Sequence, residues 1–250
     1  MMDLIWLYSL SSVFVISLIS LIGVFTLKIK QDKLKTILIY LISFSAGALF
    51  GDAFIHLLPE LIEEQGFTII SALSILFGIL IFFILEKFVH WQHCHMPISS
   101  HHVHPFAYMN LVGDALHNFI DGLVIAASYL VSIPVGLATT SAVLLHEIPQ
   151  EIGDFGVMLH GGLSRTKALI LNFLTALTAV LGVIIGLVLN NFIENIQMFI
   201  LSIAIGGFIY IAGSDLIPEL HKETDIKRSI IQIITFILGV LIMLSLLLLE

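Results

Sequence analysis

His117 and Asp121 lie four residues apart in an otherwise apolar stretch, which stacks them on one face of a helix, with Asn118 beside them and Asp114 a turn earlier. Past Pro134 the pattern returns: His146 and Gln150 form one such pair, Glu147 and Glu151 a second, and Asp154 continues that side. An ionised side chain at a bilayer centre costs roughly 2.5–3.5 kcal/mol even on the lenient insertion scale, so Asp114, Asp121, Glu147, Glu151 and Asp154 need a compensating partner. A divalent cation is the natural one. Two imidazoles with carboxylates and amides, and no thiolate, suit zinc and equally iron(II), manganese(II) or cobalt(II). Polar groups inside a bundle can also pair among themselves as glue. Two facing helices that each carry His plus carboxylate at helical spacing favour the ion.

The elements that must position these groups are membrane helices. Of the 250 residues, 58% are hydrophobic and only 11% charged, and the mean hydropathy is +1.09, whereas soluble domains carry about 25% charged residues. We therefore expect an all-α integral membrane protein, one transmembrane domain over residues 1–250. Eight apolar segments can be drawn, approximately Leu4 to Leu27, Thr36 to Leu58, Phe67 to Leu85, Phe106 to Val131, Pro134 to Leu159, Thr166 to Leu189, Ile196 to Ile217 and Ser229 to Leu249. Segments two, four, five and seven hold the ionisable residues, so they should face inward, and one, three and eight should face lipid or a partner. No basic n-region precedes the first segment, which argues against a cleavable signal peptide. Cys94 alone allows no intramolecular disulfide, and the formal net charge of −8 argues against nucleic acid.

All ten basic residues fall on alternate loops: Lys28, Lys30, Lys33 and Lys35; Lys87; Arg165 and Lys167; Lys222, Lys227 and Arg228. The positive-inside rule makes that side cytoplasmic and leaves both termini extracytoplasmic. The opposite loops carry Glu60, Glu63, Glu64 and Glu194, an acidic face toward arriving cations. The longest loop, Glu86 to Pro105, is His-rich and cytoplasmic in this reading; His90, His93, His95, His101, His102 and His104 with Cys94 suit loose metal binding, as a buffer or sensor, or a solvated linker. Asp52 and His56 form another i,i+4 pair ahead of Pro59, near the outer boundary, and Asp215, Pro218 and Glu219 lie near the cytoplasmic end of segment seven.

His117-Asn118-Phe119-Ile120-Asp121-Gly122 and His146-Glu147-Ile148-Pro149-Gln150-Glu151 resemble the signature motifs of helices four and five in the ZIP family of zinc and iron transporters. The stretch Ser45-Ala46-Gly47-Ala48-Leu49 through His56-Leu57-Leu58-Pro59-Glu60 is similar to the family's second helix, and Gly206 through Glu219 to its seventh. The resemblance implies an eight-helix transporter moving divalent metal (zinc first, otherwise iron(II), manganese or cadmium) towards the cytosol, commonly as a homodimer; the compact chain without an ectodomain fits the lipid bilayer of a plasma membrane better than that of an organelle. Carried over, it implies a principal site of His117, Asp121, His146 and Gln150, with Asn118, Glu147 and Glu151 at a neighbouring one. Gln150 departs from the His or acidic residue that usually bridges the two.

Small residues at Gly47/Gly51, Gly182/Gly186 and Gly206, Gly207 and Gly213 should let backbones approach closely. Pro149 removes one helical hydrogen bond and leaves the carbonyl of Leu145 without its helical partner; the opened helix could bend during transport or offer that carbonyl to solvent or cation, and a fixed kink without motion fits equally. Two other classes remain open. His146-Glu147-Ile148-Pro149-Gln150 resembles the zinc-protease motif H-E-x-x-H, which would make an intramembrane metal-dependent hydrolase with Glu147 as base, but glutamine replaces the second histidine and proline disturbs the helix. A metal-sensing membrane protein built on the His-rich loop would bind without flux. No Gly-rich nucleotide loop suggests ATP as energy source.

Overall fold

The computed structural model describes residues 2–26, 31–90, 105–193 and 195–249, and every regular element among them is a helix. Most of the His-rich loop, Lys28, Lys30, Glu194 and Glu250 lie outside the described residues. Helix α1 (Met2–Ile19) passes through a 3-10 turn (Ser20–Ile22) into α2 (Gly23–Thr26). Next, α3 (Gln31–Gly51) continues through a π-helical turn (Asp52–Leu57) into α4 (Leu58–Gln65), followed by α5 (Ile69–His90), α6 (Pro105–Val131) and α7 (Ile133–His160). After α8 (Arg165–Ala176) and α9 (Thr178–Leu189), α10 (Ile196–Tyr210) runs through a second π-helical turn (Ile211–Leu216) into α11 (Ile217–Leu220), and α12 (Ile226–Leu246) follows. Each π-helical turn ends two residues before a proline, Pro59 or Pro218, whose missing amide loosens the hydrogen-bond ladder behind it.

Seven helical runs among the described residues are long and apolar enough to cross a membrane: Met2–Phe25, Thr36–Gln65, Ile69–Lys87, Asn110–Val131, Arg165–Leu189, Ile196–Leu220 and Ile226–Leu246. Seven of the eight segments drawn from the sequence coincide with them. The remaining one, Pro134 to Leu159, forms α7, a helix of 28 residues whose His, Glu, Gln and Asp side chains leave it less apolar than the rest. Only Ser132 separates α6 from α7; its hydroxyl accepts from the Val135 amide and caps α7, with Pro134 in the first turn. The two helices are therefore an antiparallel hairpin.

Three helix pairs are stitched by glycines that touch backbone reciprocally. A Cβ at Gly122 would stand 2.0 Å from the Ala179 carbonyl oxygen and one at Gly182 2.1 Å from that of Phe119, which joins α6 to α9. Gly47 and Gly239 do the same for α3 and α12, and Gly78 and Gly206 for α5 and α10. The expected close approach thus holds at Gly47, Gly182 and Gly206, while Gly213 has a neighbour only at 3.8 Å. The core packs Val13, Leu49, Leu57, Ile125, Tyr129, Val183 and Leu201 with their neighbours. Leu73, Leu76, Phe77 and Leu80 on α5, and Ile233, Ile237 and Leu241 on α12, stay exposed.

Candidate metal centre

The α6–α7 hairpin brings His117, Asp121, His146 and Glu147 together, each offering one ligand atom and all four atoms within 4.8 Å of one another. The Nε2 atoms of His117 and His146 are 3.1 Å apart. Asp121 Oδ2 lies 3.2 Å from His146 Nε2 and 3.6 Å from His117 Nε2, and Glu147 Oε1 lies 3.5 Å from His117 and 3.6 Å from His146. Four atoms held about 2.0–2.1 Å from a tetrahedral zinc ion stand about 3.3 Å apart. Five of the six edges match that shape to within a few tenths of an ångström.

Charge and burial agree with the geometry. Asp121, His146 and Glu147 are at most 2% exposed, and neither Asp121 nor Glu147 receives a hydrogen bond on either carboxylate oxygen. Two neutral imidazoles and two carboxylates sum to a formal charge of −2, which one dication cancels. His146 Nδ1 sits 3.2 Å from the Ala142 carbonyl; a carbonyl only accepts, so this contact puts the ring proton on Nδ1 and turns the Nε2 lone pair to the site. The His117 ring packs edge-on against Phe82 and His146.

The other residues singled out from the sequence lie around this set. Gln150 lines two cavities beside His117, one of about 180 Å³ and one of about 690 Å³ that also reaches His146. Asn118 donates to Asp114 Oδ1 at 2.9 Å, and Glu151 accepts from Asn172 on α8. Asp154 accepts from Asn110 at 2.9 Å. Three acids near the centre, Asp114 and Glu151 buried and Asp154 half-buried, are thus each braced by an asparagine amide. Asn110 and Asn172 escaped the sequence reading; the signal was available, since each is a lone amide in an apolar run. His56 bonds the Met243 carbonyl at 2.9 Å, and Tyr210 donates to Glu86. The Leu145 carbonyl that Pro149 frees faces neither solvent nor the ligand set: Ser45 Oγ donates to it at 2.6 Å.

A bundle of helices long and apolar enough to cross a membrane, with a buried His₂–carboxylate₂ set, is an arrangement that could hold a divalent metal between its helices. The model of the ZIP zinc transporter family matches residues 3–106 and 91–247. The chain is 35% identical over 224 residues to zinc transporter ZIP13 of Pongo abelii, covering 81% of this chain and 65% of that protein. It is 29% identical over 304 residues to zinc transporter zipt-7.1 of Caenorhabditis briggsae, covering 94% and 77%. With zinc transporter SLC39A7 of Canis lupus familiaris it shares 26% identity over 328 residues, 95% and 70% of the two chains. This chain belongs to the ZIP family.

Proposed function

We propose that the protein is a divalent metal transporter, with zinc as first substrate, that holds the ion between α6 and α7 and releases it to the cytosol. The observation that carries this reading is the near-tetrahedral set of His117, Asp121, His146 and Glu147 on facing helices. Relatives named as zinc transporters support the same substrate. A mixed nitrogen and oxygen set without thiolate binds zinc yet lets it exchange, as transport requires.

The cavities and the basic residues support that direction. Both cavities are walled by Gln150 and Asp154 on α7 and by Glu86 and Asp215, and the larger reaches Glu219. Of these, Glu86 and Glu219 lie at helix ends next to Lys87 and Lys222, the basic side of the chain, and the positive-inside rule assigns that side to the cytosol. Counting α7 as the eighth span leaves both termini outside. His117, with 12% of its side chain exposed, is the ligand that lines both cavities and hands the ion on. A second ion near Asn118 and Glu151 must displace their bonds to Asp114 and Asn172, which makes it the weaker of two. A homodimer in the plasma membrane completes the reading.

Purified protein in liposomes of defined orientation tests it: zinc should enter well above empty vesicles, and iron(II), manganese and cadmium rank the selectivity. Binding without flux overturns transport in favour of sensing, and metal-dependent peptide cleavage in favour of the hydrolase. A reporter at Ser99 should read cytoplasmic and one at Glu250 external; the reverse assignment overturns the direction.

Gln150→His should place an imidazole in the cavity wall beside His117 and His146. An ion held more tightly at rest than along its exit leaves more slowly. Apparent KM and maximal flux should both fall, each by about threefold to tenfold. Unchanged binding and flux would mean that Gln150 does not meet the ion.

A further inference from the structure

Pro149 takes the amide hydrogen out of α7 one turn beyond Leu145, the residue that immediately precedes the ligand His146. The freed carbonyl is not left to water. Ser45, completely buried on α3, donates to it at 2.6 Å across the helix interface. At this level α3 and α7 meet through Ala48, Ala138 and Ala142, side chains small enough for a serine hydroxyl to reach the opposite backbone.

The donor stands on a fixed support. Two residues earlier Ser43 Oγ donates to the Gln232 carbonyl of α12 at 2.6 Å, Gly47 and Gly239 press α3 and α12 backbone to backbone, and His56 contacts the Met243 carbonyl farther along. Ser45 is therefore the point at which the α3–α12 pair grips the turn of α7 that lacks the Pro149 amide. The His146 ring takes its own orientation from the backbone of that helix, through Nδ1 and the Ala142 carbonyl.

We propose that Ser45 is a positioning residue for the metal centre: by bonding the carbonyl that Pro149 frees, it fixes the turn of α7 that aims His146 and Glu147 at the ion. The inference rests on the reading of His146 as a ligand. It touches no ion itself and acts only through the α7 backbone.

Cobalt(II) bound to the purified full-length protein, with the six loop histidines replaced by serine, reports affinity and coordination together through its visible absorption bands. Ser45→Ala should weaken cobalt binding about tenfold and shift the bands, because the Leu145 carbonyl loses its partner and the ligands lose their aim. Ser43→Ala removes an equivalent buried hydroxyl–carbonyl bond from the same helix without touching α7, and should weaken affinity far less than Ser45→Ala does. Pro149→Ala alters the site on its own account, but it restores an amide to the Leu145 carbonyl; in that background Ser45→Ala should cost less than about twofold. Equal effects of Ser45→Ala with and without Pro149, or equal effects of Ser43→Ala and Ser45→Ala, would overturn the proposal. His146→Ala separates the two levels: unchanged bands there overturn the ligand reading and the proposal with it, whereas lost bands with a silent Ser45→Ala overturn the proposal alone.

Discussion

His117→Ala and Asp121→Ala should each nearly abolish zinc flux while the protein stays in the membrane at wild-type level. Each change removes one corner of a tetrahedron whose known edges run from 3.1 to 3.6 Å. Asp121→Ala does more, because it leaves a dication facing a single carboxylate in the membrane interior. The lenient insertion scale sets an uncompensated charge there at roughly 2.5–3.5 kcal/mol, which is about a hundredfold in affinity at 1.4 kcal/mol per decade. His117→Ala removes the ligand that borders the cavities, so it should depress release as well as binding. Saturation binding and initial flux at matched expression check both variants. Normal flux in the two would remove these residues from the transport site.

Gly122→Ala should be nearly as damaging although it adds only one methyl group, directed at the α9 backbone. The new Cβ would lie 2.0 Å from the Ala179 carbonyl oxygen, where ordinary contacts need more than 3 Å, so α6 and α9 must separate by about 1 Å. Gly122 adjoins Asp121, and the displacement passes directly into the ligand set, where errors of 1 Å cost orders of magnitude. Overpacking of this kind also costs about 1–3 kcal/mol of stability. Flux should fall more than about tenfold, with a lower melting temperature in detergent. Gly156→Ala, whose Cβ would meet nothing within 4 Å, should leave both unchanged. A Gly122→Ala protein as stable and active as wild type would show that the α6–α9 contact does not hold the site.

The pairs at i,i+4 are legible in the sequence because helical periodicity is local: His117 with Asp121 needs nothing but the pitch of α6. Hydropathy likewise marks the apolar spans, and it ranks α7 lowest because that helix gives up apolar length to ligands. What spacing alone does not reveal is the rotation of α7 against α6. The family pattern directs attention to Gln150 as the fourth ligand, one turn beyond His146. In the folded hairpin Glu147, adjacent in sequence to His146, reaches the same point, because the centre faces the edge of α7 between those two side chains. Longer-range partners are still less visible. Ser45 meets the Leu145 carbonyl across 100 positions, and Asn172 meets Glu151 from another helix; each is an ordinary polar residue until the packing brings it to its partner. Five of the six loop histidines lie outside the described residues, and the part of the loop in regulation stays an expectation of composition alone.

Zinc K-edge X-ray absorption of the protein loaded with one equivalent of zinc, its six loop histidines replaced by serine, addresses the centre most directly. The expected spectrum is that of a four-coordinate ion with two imidazole nitrogens and two carboxylate oxygens at about 2.0–2.1 Å. It should lose one imidazole contribution in His146→Ala. A six-coordinate oxygen shell, or a spectrum indifferent to both His117→Ala and His146→Ala, would contradict the placement of the ion between α6 and α7.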